Sequence, residues 1–148
     1  MNVRTILPQD HDCFIELCKE FYSSKATHRD YNEALAEKTF NYLVARHENL
    51  WGYLILDDAE RIVGYALITS YWCNEDGGNV VVLDELFVKQ EYRHHGYGAL
   101  FMRFLEKEFK DKAVSITLEV VTTNTIAKSL YSRQGYAEDG FEVLTKAL

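Results

Sequence analysis

Residues 79–110 constrain the fold most. Residues 80–88 form a run of β-branched, aromatic and leucine side chains broken only by Asp84 and Glu85, the pattern of a largely buried strand. Residues 93–98 then spell R-x-x-G-x-G, and beyond them Leu100, Phe101, Phe104, Leu105 and Phe109 recur at helical spacing. A buried strand therefore passes through a short glycine-bearing loop into an amphipathic helix. The first amides of a helix have no partner inside it, and the helix dipole adds partial positive charge at the same end. Gly96 and Gly98 carry no Cβ to hold a guest away or to oppose a positive φ. Such a junction is an anion cradle suited to phosphate or pyrophosphate, with Arg93 placed to add a charge-assisted contact at its rim.

Spacing excludes two familiar phosphate loops. No Lys-Ser or Lys-Thr follows these glycines, as a P-loop requires, and Phe101 stands where a dinucleotide fingerprint needs its third glycine.

The flanking chain supplies the rest of a mixed α/β domain. Residues 3–7 read as a strand, and Asp10 as the cap of a helix whose apolar face is Phe14, Leu17, Cys18 and Phe21. A polar loop at 23–30 leads to a helix at 31–46 with Leu35, Thr39, Tyr42 and Leu43 along one side. Residues 50–56 and 62–72 form two strands around a turn at 57–60, and a second turn at 74–78 enters the central strand. Past the central helix, Val114, Ile116, Leu118 and Val120 alternate with Ser115, Thr117 and Glu119, a half-buried strand. Asn124 caps a helix at 125–134, which Gly135 ends. Residues 136–137 and 141–144 are expected to be strands around an acidic glycine turn.

The 148 residues suit one domain spanning 1–148, since Pro8 is the sole proline and no Gly/Ser-rich linker interrupts them. A net charge of −7 disfavours nucleic acid and anionic membranes and mildly favours cationic partners. No apolar run approaches a membrane span, and the N-terminus lacks a signal-peptide core, so a cytoplasmic location is expected. Cys13, Cys18 and Cys73 have no C-x-x-C spacing, and adjacent His94 and His95 lack the i, i+4 spacing of helical ligands, so no metal site is expected.

The segment L-F-V-K-Q-E-Y-R-H-H-G-Y-G-A-L resembles the acyl-CoA-binding motif of the GNAT superfamily of N-acetyltransferases. A second block in the expected order, L-E-V-V-T-T-N-T-I-A-K-S-L-Y-S-R-Q-G-Y, resembles the family's strand, Asn, helix, Tyr and Gly-aromatic series. Together they cover roughly the last 70 residues. The resemblance implies a mostly antiparallel GNAT-like sheet, flanked by about four helices, whose two central strands splay to admit the pantetheine arm of acetyl-CoA. It implies that backbone amides of Arg93, His94, His95, Gly96, Tyr97, Gly98 and Ala99 hold the pyrophosphate. Leu86, Phe87 and Val88 would pair with pantetheine as a neighbouring strand would. Asn124 is placed to touch pantetheine or cap its helix, and Lys128 to reach a CoA phosphate. A homodimer is a further expectation, since many relatives dimerise.

N-acetyl transfer needs a thioester held near an amine, an acceptor for the amine proton and a donor for the leaving thiolate. By resemblance, Tyr131 is the donor: a phenol protonates a thiolate yet rests protonated. Asp84, Glu85 and Glu119 are the candidate bases, directly or through water, with Asp84 and Glu85 ranked first. Relatives acting on polyamines carry the base at the position of Asp84, and those acting on protein N-termini at that of Glu119. Consecutive strand residues face opposite sides, so Asp84 and Glu85 cannot both face the acceptor unless a bulge intervenes. The expected activity is acetyl transfer to a primary amine of a polyamine-like or aminoglycoside-like small molecule. The alternatives are a protein or peptide acceptor, or a non-catalytic acyl-CoA-binding domain.

Overall fold

The computed structural model describes residues 2–24 and 26–148. Lys25, in the expected polar loop, lies outside the described residues. In chain order the elements are β1 (Asn2–Thr5), a 3-10 turn (Pro8–Asp10), α1 (His11–Tyr22), α2 (Glu33–Val44), β2 (Leu50–Leu56), β3 (Ile62–Cys73), β4 (Gly78–Val88), a second 3-10 turn (Gln90–Tyr92), α3 (Tyr97–Phe109), β5 (Ser115–Leu118) and α4 (Thr125–Arg133). The strands form one sheet in the order β1-β2-β3-β4-β5. Three pairings are antiparallel, and β4 runs parallel to β5.

The sheet sorts its side chains between two layers. On one face, α1 and α2 pack Phe14, Leu17, Phe21, Phe40 and Leu43 over Leu54, Tyr65, Leu67 and Phe87. On the other, α3 packs Phe101, Met102, Leu105 and Phe109 over Ile55, Val63, Ile68, Val81 and Leu83. Each fully buried Leu or Phe contributes about 1.5–3 kcal/mol through the hydrophobic effect, so these two clusters set which strand residues face which helices.

Four local expectations are corrected. Asp10 does not cap α1 with its side chain. Its carboxylate instead accepts both guanidinium nitrogens of Arg4, at 2.6 and 2.8 Å, and the Leu7 amide at 2.8 Å. A bidentate arginine outcompetes a single amide for the same oxygens. In α2 the core-facing stripe is Ala36, Phe40 and Leu43, while Leu35 is 62% exposed. The expected stripe is rotated because Phe40 displaces its neighbour Thr39 from the core. His11 reinforces this docking, with Nε2 2.9 Å from Glu37 and its ring edge-on to Phe40. The third correction lies beyond α4: residues 136–137 and 141–144 are not strands. Phe141, Val143, Leu144 and Leu148 are largely exposed there. β5 is also shorter than its alternating pattern, closing at Leu118.

One close contact fixes the register of β3 against β4. A Cβ built on Gly64 would lie 2.1 Å from the Phe87 carbonyl oxygen. Gly64→Ala should therefore force backbone movement at the centre of the sheet. Its expected cost is about 2–3 kcal/mol, lowering Tm by roughly 5–10 °C in thermal unfolding followed by circular dichroism.

Candidate active site

The glycine loop opens α3 with a set of idle donors. Gly96 is the N-cap at φ +82°, and His94 also has a positive φ of 65°. The first helical bond runs from the Leu100 amide to the Gly96 carbonyl at 3.0 Å. Among the described residues, no backbone carbonyl accepts from the amides of residues 94–99. Nothing would meet a Cβ at Gly96 within 4 Å, so the space over the loop is open. A ring of free N–H groups at a helix's positive end fits a diphosphate. Gly98 serves a different purpose: a Cβ there would lie 3.0 Å from Leu130, so its absence lets α4 approach α3.

Two loop side chains brace the turn. Arg93 donates through Nε to the Val88 carbonyl at 2.9 Å and lies over the Phe87 ring. His95 Nδ1 sits 2.8 Å from the Arg93 carbonyl and 3.2 Å from that of Tyr92. Carbonyls only accept, so Nδ1 carries the proton.

The decisive irregularity lies in β4. Its partners on β3 run from Cys73↔Gly78 to Ile68↔Leu83, and then from Leu67↔Glu85 to Gly64↔Val88. Asp84 is skipped, so it is a bulge. Regular alternation would put Leu83 and Glu85 on the same face. Here Leu83 stays in the α3 cluster, whereas Glu85 turns to the α1/α2 side and lines a cavity of about 100 Å³ with Cys18, Tyr22, Asp30, Tyr31 and Leu67. The Glu85 carboxylate is 9% exposed and accepts hydroxyl bonds from Tyr22 at 2.7 Å and Tyr65 at 2.6 Å. Burial pushes its carboxyl above the ordinary value, and the two phenols, Tyr65 first, partly offset this.

The same bulge marks where the sheet opens. β4 and β5 pair from Val80↔Ser115 to Leu83↔Leu118 and no further. Asp84 and Glu119, the next residue on each strand, stand at the parting and both keep exposed surface. Partial desolvation, followed by the charge of Glu119, holds the Asp84 carboxyl above its usual range. Beyond the parting, residues 85–88 have β3 on one side and, among the described residues, no strand on the other. The Phe87 side chain belongs to the α1/α2 core, so only its backbone is placed to pair with a guest; Leu86 packs on the α3 side.

α4 carries the remaining candidates. Asn124 caps it, accepting the Ala127 amide at 3.1 Å. Gly135 terminates it at φ +90°. Lys128 is exposed. Tyr131 packs against the α3-side cluster, its ring 6.1 Å from that of Tyr136. Burial raises its hydroxyl above the ordinary phenol value, so it rests protonated.

A sequence model described as the acetyltransferase (GNAT) family matches residues 12–136. The chain belongs to the GNAT family of acetyltransferases. It is an acyltransferase, and acetyl-CoA is the donor in this family. Solved structures agree with the fold. An integron cassette protein, HFX_CASS3, from the mobile metagenome of Cole Harbour Salt Marsh is 26% identical, with a TM-score of 0.83 over 99% of this chain and 90% of that one. AAC(6')-Iy in complex with the bisubstrate analogue CoA-S-monomethyl-acetylneamine is 16% identical, with a TM-score of 0.79 over 99% and 97%. A ribosomal-protein-alanine N-acetyltransferase from Brucella melitensis biovar Abortus 2308 is 14% identical, with a TM-score of 0.78 over 99% and 100%. No curated protein matches the chain.

For this GNAT chain the structure brings Asp84, Glu85 and Glu119 to one parting of the sheet, with Glu85 facing α1 and α2 and Tyr131 packed on the α3 side. Tyr22 and Tyr65, the partners of Glu85, went unnoticed in the sequence. Nothing in their local spacing distinguishes them among ten tyrosines. Gly96→Val should strain the left-handed turn by about 1–2 kcal/mol and misdirect the loop amides. Roughly tenfold weaker acetyl-CoA binding is expected by calorimetry, with the α1/α2 side unaffected.

Proposed function

We propose that the protein transfers the acetyl group of acetyl-CoA directly to a primary amine of a small molecule, polyamine-like or aminoglycoside-like. The observation that carries this is the bulge at Asp84, which turns the buried Glu85 carboxylate, just past the last β4–β5 pair, into the cavity on the α1/α2 side. The cavity's volume of about 100 Å³ suits one amine-bearing arm rather than a folded peptide segment. The acidic chain, at −7, favours a cationic acceptor.

In this scheme the amides of residues 94–99 take the coenzyme's pyrophosphate, and the open backbone of Leu86, Phe87 and Val88 takes the pantetheine arm. Arg93 keeps the loop in place from Val88, while Lys128 offers a charge to a peripheral phosphate. Asn124 holds the start of α4. Asp84 and Glu119 attract the ammonium to the parting. Glu85, directly or through water, accepts its proton. The neutral amine then attacks the thioester carbonyl, an N–C bond forms and the C–S bond breaks. Tyr131 gives its proton to the leaving thiolate, and the second proton that the nitrogen sheds as the amide forms returns to the Tyr131 oxygen through water. Burial raises the Glu85 carboxyl toward neutral pH, as suits a base, while burial keeps the Tyr131 phenol protonated until the departing thiolate takes its proton.

The exposed Phe141, Val143, Leu144 and Leu148 support a homodimer that covers them. Three free cysteines agree with a reducing, cytoplasmic setting. None of the described helices is long and apolar enough to cross a membrane.

Incubation with acetyl-CoA and a panel of diamines, polyamines, aminoglycosides and short peptides, followed by release of free thiol, tests the assignment. Release above background with a small amine is expected, and none with any amine would refute it; release with peptides alone would favour a protein acceptor. Glu85→Gln should lower kcat/KM roughly 100-fold without changing acetyl-CoA binding, and Tyr131→Phe should lower kcat by a similar order at unchanged amine KM.

A further inference from the structure

The two tyrosines on Glu85 have no part in the transfer as described above, yet both oxygens of the carboxylate are committed to them. Tyr65 lies wholly within the α1/α2 core and reaches Oε2 at 2.6 Å from β3. Tyr22 ends α1 and reaches Oε1 at 2.7 Å from the cavity wall. A carboxylate has about four acceptor positions. Two phenol donors fix its plane and leave two positions for a guest's N–H groups.

We propose that Tyr22 and Tyr65 are positioning residues that clamp the Glu85 carboxylate in its ionised, cavity-facing state and so set the acidity range over which the enzyme takes up an amine proton. The inference rests on Glu85 being the proton acceptor of the proposed reaction. Both phenols are themselves held protonated, by burial and by Glu85, so they remain donors throughout the working range. Among the described residues, no Lys or Arg forms an ion pair with Glu85. From α1, Cys18 is raised to about 12, by burial and then by Glu85, and stays a neutral thiol. From β4, Asp84 adds a negative charge that opposes ionisation of Glu85. Glu119, just past β5, acts on Asp84. Arg29 and Asp30, from the segment before α2, line the same cavity as an opposite-charge pair of residues. The hydroxyl bonds are therefore the contacts that favour the anion against burial and Asp84.

The sign follows directly. A base works only when deprotonated, so activity falls as pH drops through the Glu85 titration. Removing a donor to the anion moves that titration upward. The carboxyl titration is read by NMR on protein labelled with carboxyl-13C glutamate, with the Glu85 signal assigned by its loss in Glu85→Gln. In Tyr65→Phe and in Tyr22→Phe the midpoint should rise by about one pH unit. The acid limb of kcat/KM should move with it, giving about a tenfold loss below the limb and less than twofold above it. A midpoint that stays put in a folded variant overturns the proposal, as does an equal loss of kcat/KM at every pH, which is what a purely structural role produces. If Tyr65→Phe does not fold, Tyr22→Phe decides, because its ring sits at the cavity wall rather than in the core. If no amine is acetylated by the parent enzyme, the functional assignment fails, and the NMR midpoint still decides whether the clamp exists.

Discussion

One skipped residue in β4 governs this molecule. A strand alternates its side chains without exception unless a residue is inserted. Leu83 must stay under α3, where it belongs to a largely apolar cluster. Without Asp84 as an insertion, Glu85 would be driven toward that same cluster and away from Tyr22 and Tyr65, at the cost of desolvating its charge without the two bonds it now accepts. The bulge sends it to the opposite face, where two phenols receive it. The local twist that accompanies a bulge also falls where β4 and β5 stop pairing, so one irregularity orients the carboxylate and coincides with the opening of the sheet.

The regions legible in the sequence were those whose structure is local. The apolar run of β4, the R-x-x-G-x-G turn and the helical spacing of α3 each follow from neighbours within a few residues, and all three are present. Asn124 and Gly135 mark the ends of α4 as expected. The α1 stripe of Phe14, Leu17, Cys18 and Phe21 is buried as a set. Regions that depend on distant partners were not legible. The stripe of α2 turns on Phe40 meeting Phe14 and His11. Asp10 abandons its helix because Arg4 is near in space. Residues 136–148 have strand-like alternation, but pattern alone does not supply the edge to which a strand must bond.

The candidate site divides along the same line. Its loop and its three carboxylates could be named from sequence, because glycines and in-strand acids are conspicuous against apolar surroundings. Which acid faces which side could not, since that depends on the register of β3 against β4. Tyr22 and Tyr65 reach Glu85 across separations of 63 and 20 residues, distances over which composition carries no signal. The family resemblance supplied the order of the parts but was silent on this pair.

The cavity under α1 and α2 and the amide ring at α3 lie on opposite faces of the sheet. Two guests using these features would enter from opposite faces and meet only at the parting of β4 and β5, and neither would need the other to depart before it settles. Traffic of that kind is compatible with arrival in either sequence. Under the direct transfer proposed above, it belongs in steady-state kinetics with intersecting double-reciprocal lines rather than parallel ones, because both reactants would occupy the protein together at the moment of exchange.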